Sequence, residues 1–104
     1  MSDVPVYVVA NFQVHDKDKY REYEKGFFSI LKRHNGTFYT YDDSTTTFEG
    51  QAPPSGRVVI FGFPSEQVAT EWYNDPDYQA LSEHRRAGTH LEFITMVRGL
   101  PPRS

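Results

Sequence analysis

The run Arg57-Val58-Val59-Ile60-Phe61-Gly62-Phe63, stopped by Pro64 and followed by Ser65, constrains this chain more than any other stretch. Its β-branched and aromatic residues read as a short buried strand. Ser65 is a good N-cap for a helix, and Glu66 then sits in the first turn, where a carboxylate meets the positive end of the helix dipole. Val68, Ala69, Trp72 and Tyr73 form one apolar stripe aimed back at the strand. A second start signal follows at once, with Asp75 as N-cap, Pro76 at the first helical position and Asp77 beside it. A strand feeding directly into helices of this kind is half of a βα-based layered fold.

The preceding half has the same plan. Val6 to Val14 alternates, with Val6, Val8, Ala10, Phe12 and Val14 on one face and Tyr7, Val9, Asn11 and Gln13 on the other. Asp16 caps a helix in which Tyr20, Tyr23, Phe27, Ile30, Leu31 and His34 recur at three- and four-residue steps. Lys32 and Arg33 suit its last turn, and Asn35-Gly36 supplies a left-handed exit. Thr37 to Asp42 alternates again, with Phe38 and Thr40 opposed to Tyr39 and Tyr41. Asp43-Ser44 is turn chemistry, and Thr45 to Glu49 reads as a short edge strand. Gly50 to Gly56, with Pro53-Pro54, is a loop. After the strand and helix described above, a helix runs from about Pro76 to Ala87 and is closed by Gly88. Tyr78, Leu81 and Arg85 share one of its faces. His90 to Arg98 is the last strand, alternating Leu91, Phe93, Thr95 and Val97 against His90, Glu92, Ile94 and Met96. The tail Gly99-Leu100-Pro101-Pro102 reads as a strap across a partner or a frayed end.

The order strand, helix, strand, strand, helix, strand is a split βαβ unit duplicated. It predicts an α+β, ferredoxin-like βαββαβ fold, a four-stranded antiparallel sheet with its helices on one face. At 104 residues the chain is expected to form a single domain, residues 1–104 with a core of about 5–99. Helices on one face leave the other sheet face bare, and in every strand that face carries aromatic or aliphatic groups. Such a patch marks an interface or a groove, so the expected partner is a second copy, two sheets closing a dimeric α+β barrel. A net charge of −3 without a basic block argues against nucleic acid as a partner. No stretch reaches the ~20 apolar residues needed to cross a bilayer, and Met1 to Pro5 lacks a signal-peptide pattern. A cytoplasmic protein without a membrane partner is expected.

Several pieces together resemble the domain-of-unknown-function family thirteen-thirty, within the dimeric α+β barrel superfamily. They are Asp16-x-x-x-Tyr20-x-x-Tyr23, Asn35-Gly36, Phe48-Glu49-Gly50, Arg57-Val58-Val59, Phe63-Pro64-Ser65, Trp72-Tyr73, Asp75-Pro76-Asp77-Tyr78-Gln79-x-Leu81, Arg85 and Gly99. The resemblance spans roughly Val6 to Gly99. It implies the same barrel and dimerisation, and it implies no particular reaction. Related barrels act on aromatic or polyketide-like compounds without metals. The chain departs from the pattern at Gly62, where a Glu is usual, and at Tyr41, where an Arg is usual.

Candidate site residues follow from chemistry. Arg85, sharing a face with Tyr78 and Leu81, is expected to be partly buried, and a buried guanidinium seeks a carboxylate or planar oxygens. Its partner is either a ligand anion, or Glu49, or the last carbonyls of its own helix. Glu49 at a strand end is a candidate general base if burial raises its pKa, and otherwise an arginine partner or a solvated carboxylate. Trp72 and Tyr73 are candidates for an aromatic pocket, although adjacent helical residues diverge by about 100°, so one belongs to the core. Trp72 is assigned to core packing and Tyr73 to a pocket wall. Asn11 and Tyr7, on the uncovered sheet face, are candidates to orient a polar group, or form part of a dimer seam. The chain has no cysteine, and His15, His34, His84 and His90 are scattered, so neither a metal site nor a cofactor is expected. No Gly-x-Ser-x-Gly elbow or glycine-rich phosphate loop is present. A small-molecule-binding protein is expected, either a cofactor-free enzyme acting on a small acidic or aromatic metabolite or a non-catalytic dimeric binding or interaction module.

Overall fold

The computed structural model describes residues 4–101, so Met1 to Asp3 and Pro102 of the tail lie outside the described residues. The chain runs β1 (Val6–Val14), α1 (Lys17–Arg33), β2 (Thr37–Asp42), β3 (Arg57–Phe63), α2 (Glu66–Asn74), α3 (Pro76–Gly88) and β4 (Thr89–Arg98). The strands form one four-stranded sheet in the order β2-β3-β1-β4. All three pairings are antiparallel. This is the ferredoxin-like βαββαβ fold, its second helical segment broken into α2 and α3 at Asp75-Pro76.

The caps are those the residue types dictate. The Asp16 carboxylate accepts from the amides of Asp18 and Lys19. Ser65 Oγ accepts from Val68 N, and Asp75 Oδ1 accepts from Asp77 N. At the end of α1 the left-handed residue is Asn35 (φ 59°), while Gly36 stays at negative φ and makes room for Leu31. The helix α3 includes Gly88 and passes directly into β4, with Thr89 Oγ1 donating to Arg85 O at 2.7 Å.

One sheet face is covered. Val6, Val8, Ala10 and Phe12 of β1 and Val59, Phe61 and Phe63 of β3 are buried against Tyr20, Tyr23, Phe27, Ile30 and Leu31 of α1 and Trp72 and Tyr78 beyond. Trp72 is the centre of an aromatic cluster, 4.1 Å from the Tyr78 ring and 5.2 Å from both Phe61 and Phe63. At Gly26 of α1, Leu81 of α3 occupies the space of a side chain. The other face carries Tyr7, Val9, Val58 and Ile60, half-buried, with Phe93 at 42 % and Val97 at 47 % exposure. Tyr7 and Tyr39 close over Gly62 on this face, their rings 5.8 Å apart.

Two register shifts alter the faces expected from strict alternation. Tyr39 is an extra residue between the Phe38–Phe61 and Thr40–Ile60 pairs. Phe38 and Tyr41 therefore share the covered face, and Tyr39 and Thr40 share the open one, because one inserted residue inverts everything after it. Glu92 is likewise extra between the Asn11–Phe93 and Phe12–Leu91 pairs, which moves Leu91 to the helix side, away from Phe93. The edge strand expected at Thr45 to Glu49 does not form. That segment is coil and almost wholly exposed, because the Asp42 side chain accepts from Ser44 N and turns the chain away from β3. No helix among the described residues is long and apolar enough to cross a membrane.

Candidate functional site

Between α1, α3 and the covered sheet face lies a cavity of about 280 Å³. Helical spacing builds its roof, since Tyr20, Tyr23, Glu24 and Phe27 stand at i, i+3, i+4 and i+7 of α1. Tyr78 and Arg85 of α3 supply its inner end, and Ala10, Phe12, Val59, Phe61 and Ile94 form its floor on the sheet. Phe28, Phe38, Tyr41 and Arg57 surround the side toward β2. The Tyr39 bulge is what brings Tyr41 to this rim.

The inner end holds the least ordinary arrangement in the molecule. Tyr23 and Tyr78 hydroxyls meet at 2.8 Å, both rings buried. Burial, with the neighbouring Tyr78 phenol second, pushes the Tyr23 hydroxyl well above its ordinary pKa, so it stays protonated. Arg85 is 2 % exposed, and its guanidinium carbon lies 5.7 Å from the Tyr23 ring centroid. Its Nε and Nη1 are buried and have no hydrogen-bond partner among the described residues. Buried guanidinium groups are normally paired, because an unpaired buried donor forfeits its water hydrogen bonds without replacement. Here the unpaired donors belong to a side chain that lines a cavity.

The mouth is arranged in the opposite way. Arg57 donates to both oxygens of Asp43, Nε to Oδ1 at 2.7 Å and Nη2 to Oδ2 at 3.0 Å, and its Nη1 reaches Glu24 Oε2 at 3.5 Å. Its guanidinium also lies 4.3 Å from the Tyr41 ring centroid and 5.5 Å from that of Tyr20. The Arg57 hydrogen bonds hold the Asp43 carboxyl below its ordinary pKa. Burial raises the Tyr20 hydroxyl, and Arg57 opposes that rise. Arg57 is thus satisfied by carboxylates, whereas Arg85 is not.

Of the residues singled out from sequence, Tyr78 and Arg85 meet in this cavity. Glu49 does not join them. It is exposed in the coil after β2 and makes no ion pair with Arg85, and Thr89 rather than Arg85 side-chain nitrogen bonds the carbonyl at the end of α3. Trp72 packs in the core, its Nε1 buried without a partner, while Tyr73 is 40 % exposed outside this cavity. Asn11 is buried on the other sheet face, where its Nδ2 donates to Ser55 O and Arg57 O and pins the β2–β3 loop. Tyr7 lies on that face against Tyr39. Sequence reasoning placed Tyr23 in the stripe of α1 and, with Arg57, among the pieces that resemble the family, gave neither a role in the site, and passed over Glu24. A signal for Glu24 was that it falls four residues after Tyr20 on the same helical face.

The fold and cavity define a ferredoxin-like α+β protein with a pocket between helix and sheet. Residues 5–100 match the family described as Domain of unknown function (DUF1330), and the chain belongs to that family. A comparison with curated proteins finds no match. Among solved structures, the RPA0582 protein of unknown function from Rhodopseudomonas palustris is similar at 18 % identity and TM-score 0.74, over 99 % of this chain and 86 % of that one. SnoaB, a cofactor-independent oxygenase from Streptomyces nogalater, is similar at 16 % identity and TM-score 0.66, over 97 % of each chain. A dimeric ferredoxin-like protein of unknown function from Thermobifida fusca is similar at 12 % identity and TM-score 0.56, over 95 % of this chain and 92 % of that one.

Proposed function

We propose that this protein binds a small acidic or aromatic metabolite in the cavity between α1 and the sheet, and that it acts on that metabolite without a cofactor. The observation that carries this is Arg85, buried in an apolar cavity with Nε and Nη1 unpartnered. The guanidinium and the phenol hydroxyls converging at the inner end are suited to hold an oxyanion, whether delivered as a carboxylate or developed during reaction. SnoaB, a cofactor-independent oxygenase of the same fold, supports the catalytic half of the proposal.

A non-catalytic binding or interaction module is the second reading, and Glu24 favours it. It is the single carboxylate on the cavity lining and already faces Arg57 at 3.5 Å, which leaves no free general base there. Thermal-shift screening against small aromatic acids tests binding, since a ligand at ~100 times its dissociation constant adds ~2.7 kcal/mol. Mass spectrometry of each stabilising compound after incubation then separates the readings. Altered product supports catalysis, complete recovery supports a binding module, and no stabilisation by any acid sinks both.

The homodimer belongs to the same proposal. Tyr7 and Val9, half-buried, and Phe93 and Val97, exposed, lie on a sheet face that no helix among the described residues covers, and the Thermobifida fusca neighbour is dimeric. Sedimentation at micromolar concentration should give twice the chain mass, and a monomer there refutes it.

A further inference from the structure

We infer that the inner end of the cavity ionises its ligand, a flat and weak oxygen acid (a hydroxyarene or an enolisable ketone), and holds it as the oxyanion against Arg85. Resting on the small-molecule proposal above, this names the substrate class of that site and the first step performed there. An arginine side chain keeps its charge at any ordinary pH, so the cavity carries a buried cation whatever enters it. Arg85 is 2 % exposed, with Nε and Nη1 unpaired among the described residues. A neutral guest leaves that cation uncompensated, whereas an oxyanion becomes its counter-ion. The guest's ring meets Phe27 and Phe61, which stand edge to face with their centroids 5.3 Å apart.

The groups around the guest decide the sign of the effect. From α1 come Tyr20, Tyr23 and Glu24, from α3 Tyr78 beside Arg85 itself, and from β2 and β3 Tyr41 and Arg57. The strands β1 and β4 line the cavity with groups that do not titrate, Ala10, Phe12 and Ile94. The adjoining cleft adds Lys17 and Arg21 against Asp43. Cations therefore exceed carboxylates whether that cleft is counted or left out. Both carboxylates, moreover, are engaged by Arg57 at the outer end. Apolar walls alone raise the pKa of an oxygen acid, while an opposite charge within ~4–6 Å lowers it by about 1–3 pH units. Here the cation is buried beforehand, so pairing recovers a cost the fold already carries, and the lowering wins. The guest's O–H bond breaks with its electron pair left on oxygen, and the proton passes to water or buffer. Nothing is oxidised or reduced. A carboxylic acid arrives ionised at neutral pH, so only a weaker acid is changed by entering.

Visible-absorption titration of 4-nitro-1-naphthol, whose naphtholate has its own band, tests the inference with the full-length protein in excess. The bound midpoint should lie about one pH unit or more below the free one, a tenfold preference for the anion. Arg85→Met should lose that lowering, and Arg85→Lys, which keeps the charge, should retain part of it. A wild-type midpoint at or above the free value overturns the ionisation, and so does a lowering that Arg85→Met leaves intact. Calorimetric titration with naphthoate separates this from the reading beneath it. Naphthoate binding without a lowered naphthol midpoint leaves small-molecule binding standing and the inference refuted. Binding of neither compound overturns both.

Discussion

Replacing Arg85 by methionine should make this protein more stable and less able to bind. Methionine keeps the length and apolar stem of the side chain and deletes the guanidinium. In the wild type, Nε and Nη1 are buried and unpaired. Each unsatisfied buried donor costs about 1–3 kcal/mol. The contact with the Tyr23 ring, at 5.7 Å near the outer limit of such interactions, offsets about 0.5–1 kcal/mol of this. Two such donors less this offset span about 1–5 kcal/mol, and exchange of buried charges for well-packed apolar groups gains about 1–4 kcal/mol, so a gain of about 1–4 kcal/mol is expected on substitution. For a chain of this size each kcal/mol moves Tm by roughly 4–8 °C, so the shift is readily measured. Guanidinium chloride melts at neutral pH, with unchanged slope, give the value directly. A loss of more than about 1 kcal/mol would show that Arg85 holds the fold together, and the case for a functional site at the inner end of the cavity would fall. A gain in stability accompanied by loss of aromatic-acid binding is the pattern of a group kept for function at the expense of stability.

Trp72→Ala should cost about 3–5 kcal/mol in the same melts, because the ring is fully enclosed by Phe27, Phe61, Phe63 and Tyr78; a cost under ~1 kcal/mol would contradict that enclosure. Asp75 has its pKa lowered to about 2, first by the His34 hydrogen bond and then by the Asp77 amide. Its folded pKa lies below the unfolded value, so its stabilising contribution is complete above about pH 4 and is lost as pH falls toward about 2. Asp75→Asn, which retains an acceptor for Asp77 N, should therefore flatten the loss of stability across that acid window; an unchanged acid limb would exclude Asp75 as its source. Gly62→Glu should destabilise by about 1–3 kcal/mol, because a Cβ there meets Val6 O at 2.8 Å and the Tyr39 ring at 3.0 Å. A neutral effect in urea melts would mean that the two tyrosines move aside freely.

The architecture was legible because periodicity and capping agree throughout. Alternation marked β1, a β-branched and aromatic run marked β3, the steps from Tyr20 to Leu31 marked α1, and Asp16, Ser65 and Asp75 cap the helices at the residues expected. The bulges at Tyr39 and Glu92 were not legible, because an inserted residue leaves composition and local pattern unchanged while inverting the faces beyond it. Threonine-rich character at Thr45 to Glu49 imitates a strand, but the turn at Asp42 and Ser44 leads the segment off the sheet, and strand propensity without pairing does not produce a strand. In the site, Arg85 and Tyr78 were found together because both lie on one face of a single helix. Alternation placed Tyr7 and Asn11 on the uncovered sheet face, where they lie, whereas Glu49 was joined to Arg85 on chemistry alone, and chemistry does not say which loop a residue occupies. Tyr23 was read as core filler because an aromatic stripe at helical spacing looks the same whether it packs solidly or roofs a cavity. Arg57 was hidden by standing at the first position of a strand, where its long side chain reaches back to α1 and Asp43.

The central claim is that the Arg85 guanidinium is the ligand's counter-ion. The Nε–H resonance of Arg85, followed in nitrogen-labelled protein during titration with naphthoate, tests it at the atom concerned. A downfield shift that saturates along the calorimetric binding curve is expected, because the unpaired donor gains a carboxylate. Binding that proceeds while this resonance stays fixed would contradict it.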